Sequence, residues 1–222
     1  MLKRRFDAVL FDLDGTLVDS APDLAAAANA LRDAHGLAPL PYAQLRPMVG
    51  SGARGMVGVA FGVAPGEPRF EELKARFLDT YAGCLLQRTV LFEHMQGLLA
   101  ALEAAPLPWG IVTNKAARFT APLVAGLGLA ERAATVISGD TTVHAKPHPL
   151  PLLEAARRLG VAPGNCLYVG DDLRDMQAGR AAGMAVAAAT WGYLGQSEAV
   201  HDWPADTWVA SGDELLTWLQ MP

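Results

Sequence analysis

Two aspartates, two positions apart, follow the first apolar run of the chain. The run is Ala8–Phe11, and Asp12 and Asp14 come directly after it. Carboxylates at positions i and i+2 where a strand ends can face one cavity, and Gly15 permits the sharp turn that would follow. A pair of carboxylates with this spacing could serve acid–base or nucleophilic chemistry, although an ordinary acidic turn has the same pattern.

A hydroxyl and an amide follow a later apolar run. Thr113 and Asn114 stand at the end of Trp109–Thr113, where their side chains can donate hydrogen bonds to phosphate oxygens. Either residue could instead cap the helix that comes next. These two residues alone leave both interpretations open.

One lysine and three aspartates complete the set of candidates. Lys146 precedes a predicted helix, and a lone lysine at such a place is typically solvated. Asp171, Asp172 and Asp175 leave the apolar run Cys166–Val169 and enter another helix. Acidic residues stabilise helix N-termini. Capping therefore accounts for one of these aspartates, and three within five positions exceed what capping needs.

The elements that would position these residues are short apolar runs alternating with helical patterns. The predicted strands are Ala8–Phe11, Trp109–Thr113, Thr135–Ser138, Cys166–Val169 and Met184–Ala187. The predicted helices between the later strands are Met95–Ala104, Ala117–Gly126, Leu150–Leu159 and Leu173–Ala182. Continuous apolar strands alternating with helices favour an α/β fold with a parallel sheet covered on both faces. In such sheets, ligands bind at the carboxyl ends of the strands.

The first strand interrupts this alternation, because the long segment after it shows helical patterns and no convincing strand. Asp23–Ala34 is alanine-rich, and apolar residues within 70–81 recur at the spacing of one helix face. We therefore predict a helical insertion over 17–91. The α/β core would then consist of 1–16 and 92–222.

Composition narrows the classes of partner. The chain has 222 residues, enough for one large α/β domain or for a core domain with a small accessory one. Its 51% hydrophobic and 18% charged residues are typical of a soluble globular protein with a sizeable core. A net charge of -5 without a long basic run argues against nucleic acid or an anionic membrane as the main partner. No segment is apolar and long enough to span a bilayer, so we expect a cytoplasmic protein. Cys84 and Cys166 are expected to be buried, reduced thiols.

The order of the motifs is more specific than any one of them. Phe11–Thr16 reads FDLDGT, and it is followed by Thr113-Asn114, Lys146-Pro147 and the GDDxxD pattern within Val169–Asp175. This arrangement closely resembles the four motifs of the haloacid dehalogenase superfamily over nearly the whole chain. The resemblance implies a Rossmann-like core with a helical cap inserted after the first strand. The insertion is similar to the cap of the phosphoglycolate phosphatase group. Three segments, Ser51–Arg54, Trp109–Lys115 and Val169–Asp175, resemble the branch that includes N-acetylmuramic acid 6-phosphate phosphatases.

The resemblance also implies roles for individual residues. Asp12 would be the nucleophile that forms an aspartyl-phosphate, and Asp14 would act as acid in the first step and as base in the second. Lys146 would offset the crowded negative charge, and Thr113 and Asn114 would bind phosphoryl oxygens.

A magnesium ion is part of the same implication. The Asp12 carboxylate, the Asp14 backbone carbonyl and the Asp171 carboxylate would bind Mg²⁺, whereas Asp172 and Asp175 would position the metal from outside its coordination shell. Arg54 could pair with a substrate carboxylate, which phosphoglycolate and N-acetylmuramate 6-phosphate both carry. A glycine-rich loop with a surface arginine is the alternative interpretation of that segment.

The predicted function is hydrolysis of a small phosphorylated metabolite by a monomer or homodimer, without nucleic acid or membrane. Relatives that act on carbon–halogen or phosphonate bonds have a different residue at the position of Asp14, so this aspartate favours phosphoester chemistry. Two alternatives stay open. One is a mutase of the β-phosphoglucomutase kind, and the other is a non-catalytic, phosphorylatable binding module.

Overall fold

A computed structural model describes residues 6–195 and 199–220 of the chain. The strands are β1 (Ala8–Phe11), β2 (Val18–Asp19), β3 (Val90–Leu91), β4 (Trp109–Val112), β5 (Thr135–Ile137), β6 (Cys166–Gly170), β7 (Ala185–Ala189) and β8 (Thr207–Val209). The α-helices are α1 (Ala21–Asp33), α2 (Tyr42–Leu45), α3 (Gly52–Phe61), α4 (Phe70–Ala82), α5 (Met95–Ala104), α6 (Ala117–Gly126), α7 (Leu150–Leu159), α8 (Leu173–Ala181) and α9 (Gly212–Trp218).

Six of the strands form one parallel sheet in the order β5-β4-β1-β6-β7-β8. Strand β1 is central, and its four residues are completely buried because helices cover both faces of the sheet. Phe11 pairs with Ile111 of β4 on one side and with Val169 of β6 on the other. This register brings the residues that follow the three strands to the same edge of the sheet.

The segment between β1 and α5 contains α1 to α4, and α1 packs against both α3 and α4. It also contains an antiparallel ribbon that the sequence did not reveal, in which Val18 of β2 pairs with Leu91 of β3. Strands of two residues are too short for hydrophobic alternation to show them. The predicted fold class, a parallel-sheet core with a helical insertion after the first strand, is confirmed. The division at 17–91 stays a prediction.

Most predicted element bounds are confirmed to within two residues. Helices α5, α6 and α7 begin and end at the predicted residues. Helix α1 begins two residues earlier than predicted, with Pro22 in its first turn, where a missing N–H costs nothing. The predicted thiols are both free of disulfides, but only Cys166 is buried, whereas Cys84 is partly exposed. Within 6–195 and 199–220, none of the helices has the length and apolar character needed to cross a membrane.

Candidate active site

A buried lysine lies at the centre of the candidate site. The Lys146 ammonium lies 2.8 Å from Asp12 Oδ1, 2.7 Å from Asp175 Oδ1, 2.7 Å from Tyr168 Oη and 3.0 Å from the Val112 carbonyl oxygen, so its three N–H groups are shared among four acceptors. Burial by itself would lower the pKa of Lys146, but Asp12 and Asp175 outweigh it and raise the pKa. Lys146 is therefore a cation, and the expectation of a solvated surface lysine does not apply to it.

The side chain of Asn114 fixes the backbone of this lysine. Asn114 Nδ2 donates to the Lys146 carbonyl at 2.9 Å, and the Lys146 N–H donates to Asn114 Oδ1 at 2.9 Å. The loop before α7 is thus tied to the end of β4. One amide proton of Asn114 is not used in this pair, so the predicted contact with a phosphoryl oxygen stays a prediction.

Three buried carboxylates converge beside the lysine. Asp12, Asp171 and Asp175 each offer an oxygen that lies within 4.8 Å of the other two. Asp171 is held by the Thr16 hydroxyl at 2.9 Å and by the Tyr193 N–H at 2.8 Å. These contacts join the loops after β1, β6 and β7 around one point.

Glycines make this close approach possible. A Cβ at Gly15 would lie 2.1 Å from a carboxylate oxygen of Asp171, and a Cβ at Gly192 would lie 2.2 Å from its Cβ. Gly15 also has φ of +88°, which L side chains rarely adopt. Glycine is therefore required on both sides of the Asp171 side chain.

The electrostatics of the carboxylate cluster favour a bound cation. Burial raises the pKa of Asp12 to about 7 against the opposing effect of Lys146, and burial with the neighbouring aspartates raises the pKa of Asp171 well above its usual range. Three converging carboxylate oxygens are the donors that a hard divalent ion prefers. The residues present therefore fit a metal centre.

The two aspartates at the start of α8 have different surroundings. Asp175 contributes to the carboxylate cluster and accepts from the Asp172 N–H at 3.1 Å. Asp172 accepts from the Arg174 N–H at 2.9 Å and pairs with the Arg174 guanidinium at 2.7 and 2.8 Å, which also donates to the Gly50 carbonyl. The pKa of Asp172 is lowered because Arg174 outweighs its burial. The geometry thus brings Asp175, rather than Asp172, to the point where a metal would bind, although the sequence placed both outside the coordination shell.

The Asp14 carboxylate lies apart from this cluster. Its partners are the Lys115 ammonium, at 2.9 Å from Oδ1 and 3.2 Å from Oδ2, and the Ser20 hydroxyl, which donates to Oδ1. Sequence reasoning assigned no role to Lys115, although it directly follows Thr113-Asn114. Its position after the same strand was the one signal that could have identified it.

A cavity of about 570 Å³ extends from these residues to the inserted helices. Its core end is lined by Asp12, Asp14, Thr113, Asn114, Lys115, Lys146, Asp171, Asp172, Arg174 and Asp175. The inserted segment contributes Gly50, Ser51, Gly52, Ala53, Arg54, Phe70, Glu71, Lys74, Phe77, Leu78 and Tyr81 to its lining, and α6 of the core adds Arg118 and Phe119. Every residue that the sequence proposed for the site therefore lines one cavity, including the exposed Arg54. Their individual roles stay predictions.

Comparisons with known proteins agree with the motif order. The haloacid dehalogenase-like hydrolase family matches residues 9–189. The N-acetylmuramic acid 6-phosphate phosphatase of Pseudomonas aeruginosa is 43% identical over 216 residues, covering 97% of this chain and 96% of that protein. A phosphoglycolate phosphatase of Xanthomonas campestris is 48% identical over 209 residues, covering 94% of each. The crystal structure of a predicted phosphoglycolate phosphatase from Haemophilus somnus has a TM-score of 0.84 and 27% identity, covering 96% of this chain and 98% of that one. The resemblance found in the sequence is confirmed, and the chain belongs to the haloacid dehalogenase-like hydrolase family.

Proposed function

We propose that this chain is a magnesium-dependent phosphatase that hydrolyses a small, carboxylated phosphomonoester. The observation that carries the proposal is the Asp12 carboxylate, held at 2.8 Å by a buried lysine beside Asp171 and Asp175, at one end of a cavity large enough for a metabolite. A nucleophile, buried positive charge and candidate metal ligands are thus brought to one place.

In the first step, an Asp12 oxygen forms a bond to phosphorus while the bond from phosphorus to the leaving oxygen breaks. Asp14 donates a proton to that oxygen, so that a neutral alcohol departs. In the second step, Asp14 removes a proton from water, which attacks the phosphorus of the aspartyl-phosphate and releases inorganic phosphate and Asp12.

The other residues hold the phosphoryl group and limit its charge. The Thr113 hydroxyl and the remaining Asn114 amide proton would donate to phosphoryl oxygens, and Lys146 would balance charge at Asp12. The Asp12 and Asp171 carboxylates and the Asp14 backbone carbonyl would hold Mg²⁺, with Asp175 close enough to support it. Bound Mg²⁺ would supply positive charge that favours the ionised form of Asp12 and offsets the charge of the phosphate.

The residues that the insertion contributes to the cavity and the names of the relatives support the proposed substrate class. Among those relatives, one is named for N-acetylmuramic acid 6-phosphate and another for phosphoglycolate. A volume of about 570 Å³ with aromatic walls at Phe70, Phe77 and Phe119 favours the larger, sugar-based ester. Arg54 would pair with its carboxylate. Cytoplasmic location, a monomeric or homodimeric state and independence from nucleic acid and membrane belong to the same proposal.

The test is a phosphate-release panel with Mg²⁺ that includes both carboxylated esters, hexose phosphates and nucleotides. We expect catalytic release, highest with N-acetylmuramate 6-phosphate, and loss on the order of 10⁴-fold or more for Asp12→Asn. Asn keeps the side-chain volume, so its circular dichroism should match that of the wild type.

Other outcomes separate the alternatives. An isomeric hexose phosphate without free phosphate would indicate a mutase. Labelling limited to one phosphate per chain would indicate a phosphorylatable binding module. Wild-type rates in Asp12→Asn would refute the assignment of the nucleophile.

A further inference from the structure

The proposed acid–base residue is held by a lysine to which neither the motifs nor the chemistry above gives a role. The Lys115 ammonium lies 2.9 Å from Asp14 Oδ1 and 3.2 Å from Asp14 Oδ2, so that one cation contacts both oxygens. Both side chains are largely buried, with exposed fractions of 8% for Lys115 and 17% for Asp14. Little solvent screens the attraction between the two groups. The contact therefore holds the carboxyl group of Asp14 in place.

The same ammonium contacts the inserted helices. It lies 4.7 Å from the centroid of the Tyr81 ring, and Tyr81 belongs to α4. An ammonium at this distance from an aromatic face is attracted by the ring quadrupole. Lys115 follows β4 of the core, whereas Tyr81 is part of the insertion, so the lysine connects Asp14 to the wall of the cavity.

The two Asp14 oxygens are not equivalent. Oδ1 accepts from Lys115 at the shorter distance and also from the Ser20 hydroxyl. Among the described residues, Oδ2 has only the longer contact with Lys115. Oδ2 is therefore the oxygen available to carry the proton that the leaving group needs.

We infer that Lys115 is a positioning residue for acid catalysis, and this inference rests on the proposed phosphatase function. Its ammonium restricts rotation of the Asp14 carboxyl group and directs Oδ2 toward the leaving oxygen. A carboxyl group that rotated freely would present its proton in the productive direction for only part of the time. Lys115 thus acts through Asp14, and its effect depends on how much the leaving group needs a proton.

The dependence of the Lys115 effect on the leaving group can be tested with two esters. 4-Nitrophenyl phosphate and 4-nitrobenzyl phosphate have similar shapes and no carboxylate, but the nitrophenolate leaves without a proton and the benzyl alcohol requires one. In saturating Mg²⁺, we expect Lys115→Met to lower kcat/KM for the benzyl ester about 30- to 100-fold, a part of the gain that general acid catalysis provides. The loss for the nitrophenyl ester should stay below about 3-fold, since its departure needs no acid.

The ratio of the two kcat/KM values is the decisive quantity, because a reduced fraction of folded enzyme cancels from it. Lys115→Arg keeps the cation and should restore most of the benzyl rate. Should Lys115→Met fail to fold, Lys115→Gln and Lys115→Arg give the same comparison. The matched control is Arg180→Met, which removes a surface cation paired with Asp206 at 2.8 Å and should keep the wild-type ratio.

The outcomes distinguish this inference from the proposed function. Equal losses for both esters in Lys115→Met, or no loss for either, would overturn the positioning role while leaving the phosphatase intact. A wild-type enzyme that releases phosphate from no ester would overturn the proposed function and the role of Lys115 together. Asp14→Asn should show a larger selective loss for the benzyl ester. If this variant lost no more activity with the benzyl ester than with the nitrophenyl ester, neither Asp14 as the acid nor Lys115 as its positioning residue could stand.

Discussion

The two ends of the cavity are built differently. At the core end, the side chains of Lys146 and Asp175 are no more than 3% exposed, and the Lys146 ammonium has four partners between 2.7 and 3.0 Å. At the end formed by the insertion, Arg54 is exposed, and the ion pair between Lys74 and Glu71 leaves their side chains 36% and 73% exposed. The polar groups of one end are buried among several partners, whereas those of the other are exposed to solvent.

This difference matches the demands of the two tasks. Groups that stabilise charge in a transition state are most effective when they are already oriented, because they need not reorganise during the reaction. Groups that select a substrate can stay on a mobile surface and adopt their final contacts when the ligand binds. We therefore expect the core end to carry out the chemistry and the insertion to select the ester.

Removing the central cation should have the largest effect. In Lys146→Met, Asp12 and Asp175 lose their shared partner, and we expect activity to fall at least about 10³-fold. Breaking a buried ion pair in this way should also cost about 3–5 kcal/mol of the free energy of unfolding. Urea unfolding and phosphate release measure the two effects.

The matched control is Lys74→Met at the other end of the cavity. Its pair with Glu71 at 2.7 Å is as short as those of Lys146 but solvent-exposed, so the expected loss of stability is only about 0–1 kcal/mol. Similar losses in both variants would contradict the contrast between a buried and a solvent-exposed end.

The residues of the core end could be predicted from the sequence because short local patterns identify them. Asp12, Thr113 and Asp171 directly follow apolar strands, and parallel strands bring such positions to one edge. The lone Lys146 became recognisable only through the order of the motifs, since nothing around it predicts burial. The position of Asp175 required coordinates, because a helix N-terminus explains an aspartate equally well.

Contacts between distant segments could not be predicted from the sequence. The pair of Lys115 with Asp14 joins residues that are 101 positions apart, and the Tyr168 hydroxyl at Lys146 belongs to a strand that reads as wholly apolar. The contact of Arg174 with the Gly50 carbonyl likewise depends on how the insertion packs on the core. Such contacts follow from tertiary packing, on which local propensity and periodicity carry no information.

Arg54 should affect substrate choice without affecting the chemistry. For Arg54→Ala, we expect kcat/KM with N-acetylmuramate 6-phosphate to fall about 10- to 100-fold, because a charged hydrogen bond to the carboxylate is lost. The rate with 4-nitrophenyl phosphate, which has no carboxylate, should hardly change. Arg54→Lys keeps the charge but not the bidentate geometry and should lie between the two. Equal losses with both substrates would place Arg54 outside carboxylate recognition.

The metal-free core end should be sensitive to pH. The folded-state pKa of Asp12 is raised from 3.8 to about 7, so the folded protein binds the proton more tightly than the unfolded chain does. The stability that this group contributes is fully present below about pH 4 and is lost as the pH rises toward about 7. Mg²⁺ binds the ionised carboxylates, so the rise in Tm from EDTA to Mg²⁺ should be several degrees larger at pH 8 than at pH 5. An equal rise at both pH values would contradict a metal site at Asp12.

The smallest expected effect lies where the insertion meets the core. The Tyr193 hydroxyl accepts from the N–H groups of Ser20 and Ala21 at 2.9 and 3.0 Å and donates to Asp19 at 3.0 Å, which ties the loop after β7 to the start of α1. Tyr193→Phe leaves these buried groups without that partner and should cost about 1–2 kcal/mol of unfolding free energy. Tyr81→Phe is the control, since the Tyr81 hydroxyl is buried and has no hydrogen-bond partner among residues 6–195 and 199–220. Its removal should leave stability unchanged or slightly higher, and an equal loss in both variants would mean that the Tyr193 hydroxyl does not join the insertion to the core.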